Sequence, residues 1–406
     1  MQRLAIPPLQ QRFTVSFDYA VHFTEGLFCR DNPLLSDAMV PDGEEGPKKF
    51  AVVIDSGVIE QQPQLLQQIE SYANHYGDRL TLVAIPHVVP GGEAAKNDPS
   101  LVDRLQAIIN EAGLCRHSYL VAIGGGSLLD MAGYAAATAH RGIRLIRVPT
   151  TVLAQNDAGI GIKNGINAFG KKNFLGTFKP PYAVLNDFAF LKTLSDRDWR
   201  AGIAEAIKVA LIKDPDFFAE ISAHADALAS RDMAAMQRLI VRCAQLHLNH
   251  IATSGDPFEL GSSRPLDFGH WSAHKLEQLA HYGLRHGEAV AVGMALDVTY
   301  SHLLGWLPHS DWHAILSTLS TLGFVLYVPE LSAGIEDLNN PLCIFNGLNE
   351  FREHLGGQLT LMLLRDIGSG VEVHNVDLNL YRQSICMLLD WETSQDESLV
   401  VARQAS

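Results

Sequence analysis

Leu120-Val121-Ala122-Ile123-Gly124-Gly125-Gly126-Ser127-Leu128-Leu129-Asp130 reads as a buried strand, a glycine turn and the start of a helix. Glycines let a backbone approach a ligand closely, and a helix start offers free N–H groups at the positive end of its dipole. The turn therefore suits a phosphate or pyrophosphate. It is neither GxGxxG nor a P-loop, because no Lys-Ser/Thr pair follows. A plain tight connection would use the same glycines. What favours a ligand is position, at the carboxyl end of a strand in an open sheet.

The pattern extends in both directions. Lys49–Asp55 is a short apolar run stopped by Ser56-Gly57, followed by a helical stretch over Gln61–Tyr76, a strand at Leu80–Pro86 and a helix over Pro99–Ala112. The strand Ser118–Ile123 enters the glycine turn, the helix Leu128–Ala139 leaves it, and Arg144–Pro149 is the next strand. Such alternation predicts a Rossmann-like, doubly wound parallel sheet. Asp55, closing the first of these strands, is placed to hold a ribose hydroxyl or to cap the next helix. Before this unit, FTVSFDYAVHF alternates like a strand. After Leu194 the periodicity turns helical, in AGIAEAIKVALI, RDMAAMQRLIVRCAQLHLNHIA, HWSAHKLEQLA and HGEAVAVGMALDVTYSHLL. The expected division is an α/β domain over residues 1–194, including the N-terminal extension, and a mainly helical domain over 195–406. ETSQDESLVVARQAS, at the end, reads as a frayed tail.

The chain has 406 residues, with 31 Lys and Arg against 45 Asp and Glu, a formal net charge of −14. Nucleic acid and anionic membranes reward clustered positive charge, so neither is expected as a partner. A small anionic substrate responds only to local charge and is not excluded. Five scattered cysteines without CxxC signal neither a disulfide framework nor a cysteine-based zinc site. No signal peptide or membrane-spanning run is read, and a cytoplasmic enzyme is the expected class.

Two features carry chemistry. Phe268-Gly269-His270-Trp271-Ser272-Ala273-His274 sets two histidines at i and i+4 on one helix face, and Leu284-Arg285-His286-Gly287-Glu288 brings a third to a helix start. Two histidines with a carboxylate form a three-ligand, open metal site. Glu205, acidic on an otherwise apolar helix face, is the candidate carboxylate; pairing with Lys208 at i+3 would explain it equally. The other feature is an acid-free stretch from Ala158 to Asn186 in this acidic chain, holding Lys163, Lys171, Lys172 and Lys179. It is a local cationic region suited to a phosphate, or else a solvated loop.

Taken together, GGGSLLDMAGYAAATAHRG, VPTTVLAQNDAGIGIKNGIN, GKKNFLGTFKPPYAVLNDFAFLKTL, RAGIAEAIKVALI, FGHWSAH and LRHGEAVAVGM resemble the sugar phosphate cyclase superfamily, which includes the dehydroquinate synthases. The resemblance covers roughly residues 50–300, and Pro90–Lys96 is similar to the superfamily's PxGExxK loop. It implies an NAD-binding α/β domain, a helical domain, and an active site between them. Glu205, His270 and His286 fall on ligands of a divalent metal, zinc or cobalt. Asp55, Glu93, Lys96, Gly124, Gly125, Gly126, Ser127, Asp130, Thr150, Thr151 and Lys172 fall on or beside the NAD site. Asp157, Lys163, Asn173, Lys208 and His274 fall on positions that hold substrate. Arg141 matches an arginine that reaches the phosphate from a neighbouring subunit, so a homodimer is implied.

This chain also departs from the dehydroquinate synthase pattern. Asp267 stands for an asparagine, His247 for a lysine that helps hold a substrate carboxylate, and Gly255–Ser263 is a short insertion. Arg264 is displaced by one position, and Arg352 replaces a C-terminal lysine on the phosphate. Losing a cation while gaining an acid disfavours a carboxylated substrate, since an unpaired carboxylate in a dry site is costly. The expected activity is therefore an NAD- and metal-dependent cyclase, a phosphate-eliminating lyase acting on a neutral ketose phosphate such as sedoheptulose 7-phosphate. In such a reaction oxidation precedes phosphate elimination, the hydride returns, and an intramolecular aldol step closes the carbocycle. The alternatives are 3-dehydroquinate synthase proper, a metal-dependent alcohol or polyol dehydrogenase of the same fold, and a non-catalytic nucleotide-binding relative.

Overall fold

The computed structural model of this chain describes residues 8–40, 46–258, 265–281, 283–354 and 357–405. In chain order its first nine strands are β1 (Ala20–Thr24), β2 (Lys48–Asp55), β3 (Leu80–Leu82), β4 (His87–Val89), β5 (Tyr119–Gly124), β6 (Arg144–Pro149), β7 (Lys163–Ala168), β8 (Lys171–Phe178) and β9 (Ala183–Asp187). Seven of them form one sheet in the order β1-β9-β6-β5-β2-β3, with β4 pairing β2 beside β3. Every ladder in that sheet is parallel.

The central strands are buried because both faces are covered, which is why they read as continuous apolar runs rather than alternating ones. On one face the helices Ser100–Glu111 and Gly126–Thr138 pack over Ala51, Val53, Leu120 and Ala122. On the other, the helix Leu65–His75 covers Phe50, Val52, Val121 and Ile123. After β2 the chain first lays strands on one side of it and then places β5 on the other. The strand order thus reverses between β2 and β5, and their carboxyl ends carry Asp55 and the glycine turn. That reversal is where an open α/β sheet receives ligands.

Several expectations are revised. The strand anticipated over Leu80–Pro86 is shorter, ending at Leu82: β3 pairs Lys48–Phe50, and the unexpected β4, beyond Pro86, pairs Val53–Asp55. Of the alternating N-terminal stretch only Ala20–Thr24 joins the sheet, leaving Phe13, Val15 and Phe17 exposed. The lysine-rich segment is not an irregular loop, although Lys171–Phe178 is exposed along nearly its whole length. It forms an antiparallel β7–β8 hairpin whose base is held by the buried Arg147 guanidinium, which donates to the carbonyls of Gly159 (3.1 Å), Gly161 (2.8 Å) and Lys163 (2.8 Å) and to Asn164 Oδ1 (2.7 Å).

The second half is mainly helical. The glutamate helix (Asp196–Lys213) starts at Ser195, whose hydroxyl accepts from the Asp198 N–H, and is buried along almost its whole length. Around it lie the Met233–Thr253 helix, the first histidine helix (His270–Leu279) and the second histidine helix (His286–Leu303). Trp199, Ile203, Ala206, Trp271, Ala291 and Leu296 belong to their common core. A second hairpin, β10 (Leu361–Asp366) with β11 (Ser369–Val373), was not foreseen. The chain end expected to fray continues as a helix, Leu378–Ala405. Among the described residues no helix is long and apolar enough to cross a membrane.

Candidate active site

Glu205, His270 and His286 converge so that one ligand atom from each lies within 4.8 Å of the others. Glu205 Oε1 is 3.6 Å from His270 Nε2 and 3.3 Å from His286 Nε2. His270 places its Nδ1 3.0 Å from the Phe268 carbonyl, which orients the ring and leaves Nε2 facing the glutamate. His286 stands at the first turn of its helix, where Gly287 lets the backbone touch the glutamate helix: a Cβ at that position would lie 2.0 Å from the Ala201 carbonyl oxygen.

Glu205 makes the i,i+3 pair with Lys208 and at the same time faces both histidines. Its carboxylate pairs with Lys208, yet both of its oxygens are buried and accept no hydrogen bond. Burial opposes its charge, but Lys208, His286 and His270 hold the carboxyl well below the ordinary range. His270 is lowered by burial and by Lys208. On His286 burial also opposes charge, but the carboxylates of Glu205 and Glu277 outweigh it and raise the imidazole to about 10. One carboxylate oxygen and two imidazole nitrogens turned to a common point, with Glu205 and His270 buried and His286 partly so, are a donor set that fits a divalent cation.

Beside the cluster, the ring centroid of His274 is 5.5 Å from that of His270 and 6.1 Å from that of His286. Burial and the two neighbouring imidazoles push it down to about 3, so it is a neutral ring. Asp157 sits in a single π-helical turn, Ala154–Ala158, with Oδ1 3.1 Å from His247 Nδ1. Burial lowers His247 although Asp157 opposes that, leaving a neutral histidine where a lysine was expected in dehydroquinate synthases. Burial opposes the charge of Asp267, but His270, Lys163 and Lys208 together hold its carboxyl below its usual value. Lys208 is raised against its own burial by Glu205 and Asp157, so it remains charged.

The crevice at the strand reversal is equally specific. The Gly126–Thr138 helix begins at Gly125 with no side-chain cap, leaving its first N–H groups open to a ligand. Thr150 N–H donates to the Gly124 carbonyl (3.0 Å), and Thr151 Oγ1 accepts from Ala154 N–H (3.1 Å). Asp55 does cap the next helix, accepting from Gly57 N–H at 2.8 Å. Its carboxylate also lies against Gly91, where a Cβ would come within 2.1 Å of it. Lys96, buried, pairs with Asp130 at 2.8 Å and with Asn173 from the hairpin, while Glu93 accepts from Asn167. Ser127 lies in the first turn of the same helix.

Not every candidate joins these groups. Arg141, in a left-handed conformation (φ 62°), lines an open cavity of about 390 Å³ with Cys115, Arg116 and His140. Arg352 is exposed on the helix Asn346–His354 and faces a groove with Asn349, Gln358 and His374, in which no metal-cluster residue takes part. Arg264 and part of the insertion lie outside the described residues. The sequence reading missed Glu277, whose Oε2 is 3.5 Å from His286 Nδ1 and whose Oε1 is 3.2 Å from Lys172 Nζ on β8. It is one helical turn beyond His274, a spacing that could have flagged it.

Fold and side chains together define a two-domain α/β protein with a candidate three-ligand metal centre near a glycine-lined crevice. The chain belongs to the 3-dehydroquinate synthase family: residues 86–201 match its N-terminal domain and 202–339 its C-terminal domain. A 3-dehydroquinate synthase from Halorhodospira halophila is 34% identical over 345 residues, 81% of this chain and 93% of that protein. A 2-epi-5-epi-valiolone synthase from Streptomyces glaucescens is 31% identical over 369 residues, 88% of this chain and 87% of that one. The structure of ValA, a 2-epi-5-epi-valiolone synthase from Streptomyces hygroscopicus with NAD+ and Zn2+ bound, matches with a TM-score of 0.80 at 28% identity, over 94% of this chain and 99% of that chain.

Proposed function

We propose that the protein is an NAD- and divalent-metal-dependent sugar phosphate cyclase whose substrate is a neutral ketose phosphate of the sedoheptulose 7-phosphate type. In this reading residues 1–194 bind NAD and lend Asp157, Lys163, Asn173 and Arg141 to the substrate, and residues 195–406 bind the metal and the rest of the substrate. The observation that carries the substrate class is the Asp157–His247 contact at 3.1 Å together with Asp267. At the position where a carboxylated substrate would meet a lysine this chain has a neutral imidazole beside two carboxylates, which accept from hydroxyls, while the nearby Lys208 is already paired with Glu205.

Glu205, His270 and His286 would hold zinc or cobalt, and the Gly124–Gly126 turn with Asp55, Glu93, Lys96, Ser127, Asp130, Thr150, Thr151 and Lys172 would hold NAD. When bound, NAD supplies reversible hydride acceptance from a ring carbinol, and the metal supplies polarisation of that carbinol oxygen. The remaining work falls to the chain itself. Lys163, the Asn173 amide and the neutral His274 imidazole hold the phosphate, joined by Arg141 of a second copy in a homodimer. The Lys208 ammonium, kept charged by Glu205 and Asp157, donates to a substrate oxygen, while Asp267 and Asp157 accept from hydroxyls. Anchoring the remote phosphate fixes the reacting carbons against the crevice, so binding energy is spent on orientation.

The relatives support 3-dehydroquinate synthase activity as a second reading as strongly, and the His247 and Asp267 substitutions are what favour the first. A dehydrogenase would leave the Lys163–Asn173 hairpin without a task. The test is phosphate release from sedoheptulose 7-phosphate with NAD and zinc or cobalt, read alongside absorbance of NADH. Phosphate release without accumulation of NADH supports the cyclase; stoichiometric NADH with no phosphate refutes it.

A further inference from the structure

Asp297 is 1% exposed, and its carboxylate meets no cation among the described residues. Instead it collects three neutral donors. Oδ2 accepts from the Gly269 backbone N–H at 3.2 Å, and Oδ1 accepts from Trp271 Nε1–H at 3.0 Å and from Tyr381 O–H at 2.9 Å. The first two donors bracket His270 in sequence. Asp297 follows His286 by eleven residues on the second histidine helix, about three turns, and so shares its face. One carboxylate therefore ties the helix of one proposed ligand to both flanks of another.

The local backbone needs such a tether. Gly269 is left-handed (φ 75°), and a Cβ there would lie 2.7 Å from Met294 N–H nitrogen; a Cβ at Gly293 would lie 2.1 Å from the Gly269 carbonyl oxygen. The first histidine helix thus begins in direct backbone contact with the second, in a conformation ordinary residues rarely adopt. Tyr381 is itself fixed, stacked on Tyr300 with centroids 4.1 Å apart and edge-on to Trp271 at 5.2 Å. Burying a carboxylate among neutral groups is costly, and an apolar residue of similar size would fill the space more cheaply. The arrangement is explained by orientation rather than by packing.

We infer that Asp297 is a positioning residue that sets the metal-binding geometry of His270 by holding the Gly269 N–H and the Trp271 indole. The inference rests on the reading of Glu205, His270 and His286 as the metal ligands. Asn at 297 can still accept from the indole and the phenol, but its amide then faces the Gly269 N–H donor with a donor. Phe at 381 removes only the donor that does not flank His270.

The experiment loads the full-length wild type, Asp297→Asn, Trp271→Phe and Tyr381→Phe with Co2+, recording dissociation constants by chelator competition, the visible d–d spectrum and the melting temperature. Asp297→Asn is expected to weaken Co2+ binding by roughly 10–100-fold and to shift the d–d bands. Trp271→Phe should do the same to a smaller extent. Tyr381→Phe should lower the melting temperature while leaving the affinity within about threefold and the spectrum unchanged, a scale set by outer-shell effects elsewhere. If Asp297→Asn fails to fold, Trp271→Phe against Tyr381→Phe decides. Unchanged affinity and spectrum in the flanking variants, or equal losses in all three, would overturn the positioning role. A wild type that binds no Co2+ would instead refute the metal reading beneath it.

Discussion

Replacing Gly287 by Ala tests the metal centre through geometry alone. The added Cβ would sit 2.0 Å from the Ala201 carbonyl oxygen and 2.5 Å from Ala201 Cα, where ordinary contact begins at 3.4 Å. The second histidine helix and the glutamate helix must therefore part by about 1.4 Å at this point to restore ordinary contact, an overpacking strain of roughly 1–3 kcal/mol. His286 is the adjacent residue, and its Nε2 lies 3.3 Å from Glu205 Oε1. Metal–ligand distances tolerate only about 0.2 Å, so a displacement of that size withdraws one of the three proposed ligands. The expected loss in zinc affinity is at least about 100-fold, equivalent to roughly 2.7 kcal/mol. Competition with a chromophoric chelator measures the affinity, and metal content after dialysis gives the stoichiometry. A folded Gly287→Ala protein with wild-type affinity and one equivalent of zinc would refute the argument.

Other outcomes follow from the same geometry. His270→Ala is expected to lose metal retention and turnover together, read by metal analysis and phosphate release; turnover surviving the change would remove His270 from the ligand set. Glu277→Gln breaks the contacts to His286 and Lys172 and should weaken zinc binding by about 10–100-fold, measured by the same competition. The Glu277 carboxyl is opposed by burial but held down to about 2 by His286 and Lys172. A carboxyl depressed on folding contributes stability that is present above its unfolded value of 4.5 and lost as pH falls towards 2. In metal-free protein the stability advantage of wild type over Glu277→Gln should accordingly shrink between pH 5 and pH 3, as followed by urea midpoints; an advantage that grows on acidification would contradict the assignment.

The central strands and the glycine turn were legible because burial on both faces leaves an unmistakable apolar run ending in glycine. The proposed ligands Glu205, His270 and His286 were legible as chemistry, since an acid on an apolar helix face and an HxxxH are conspicuous. Their convergence came from resemblance, because no local pattern joins residues 65 positions apart. The β7–β8 hairpin was hidden since its order depends on Arg147, whose guanidinium binds carbonyls that sequence cannot place. The early end of β3 and the separate β4 were hidden for a related reason: the two pair different ends of one long β2. Glu277 and Asp297 look like ordinary helix acids until packing buries them. Arg352 shows the converse, a residue matched by loose alignment that the fold leaves on a separate groove.

The central claim concerns the substrate, and offering two substrates in parallel tests it most directly. The purified protein, with NAD and zinc or cobalt, is given sedoheptulose 7-phosphate and 3-deoxy-arabino-heptulosonate 7-phosphate separately, and kcat/KM for phosphate release is measured for each. The Asp157–His247 pair and Asp267 predict turnover of the neutral ketose phosphate, with the carboxylated sugar disfavoured by at least about 100-fold, the effect of roughly 2.7 kcal/mol from an unpaired buried carboxylate. Turnover of the carboxylated sugar alone would contradict the account and make the protein a 3-dehydroquinate synthase.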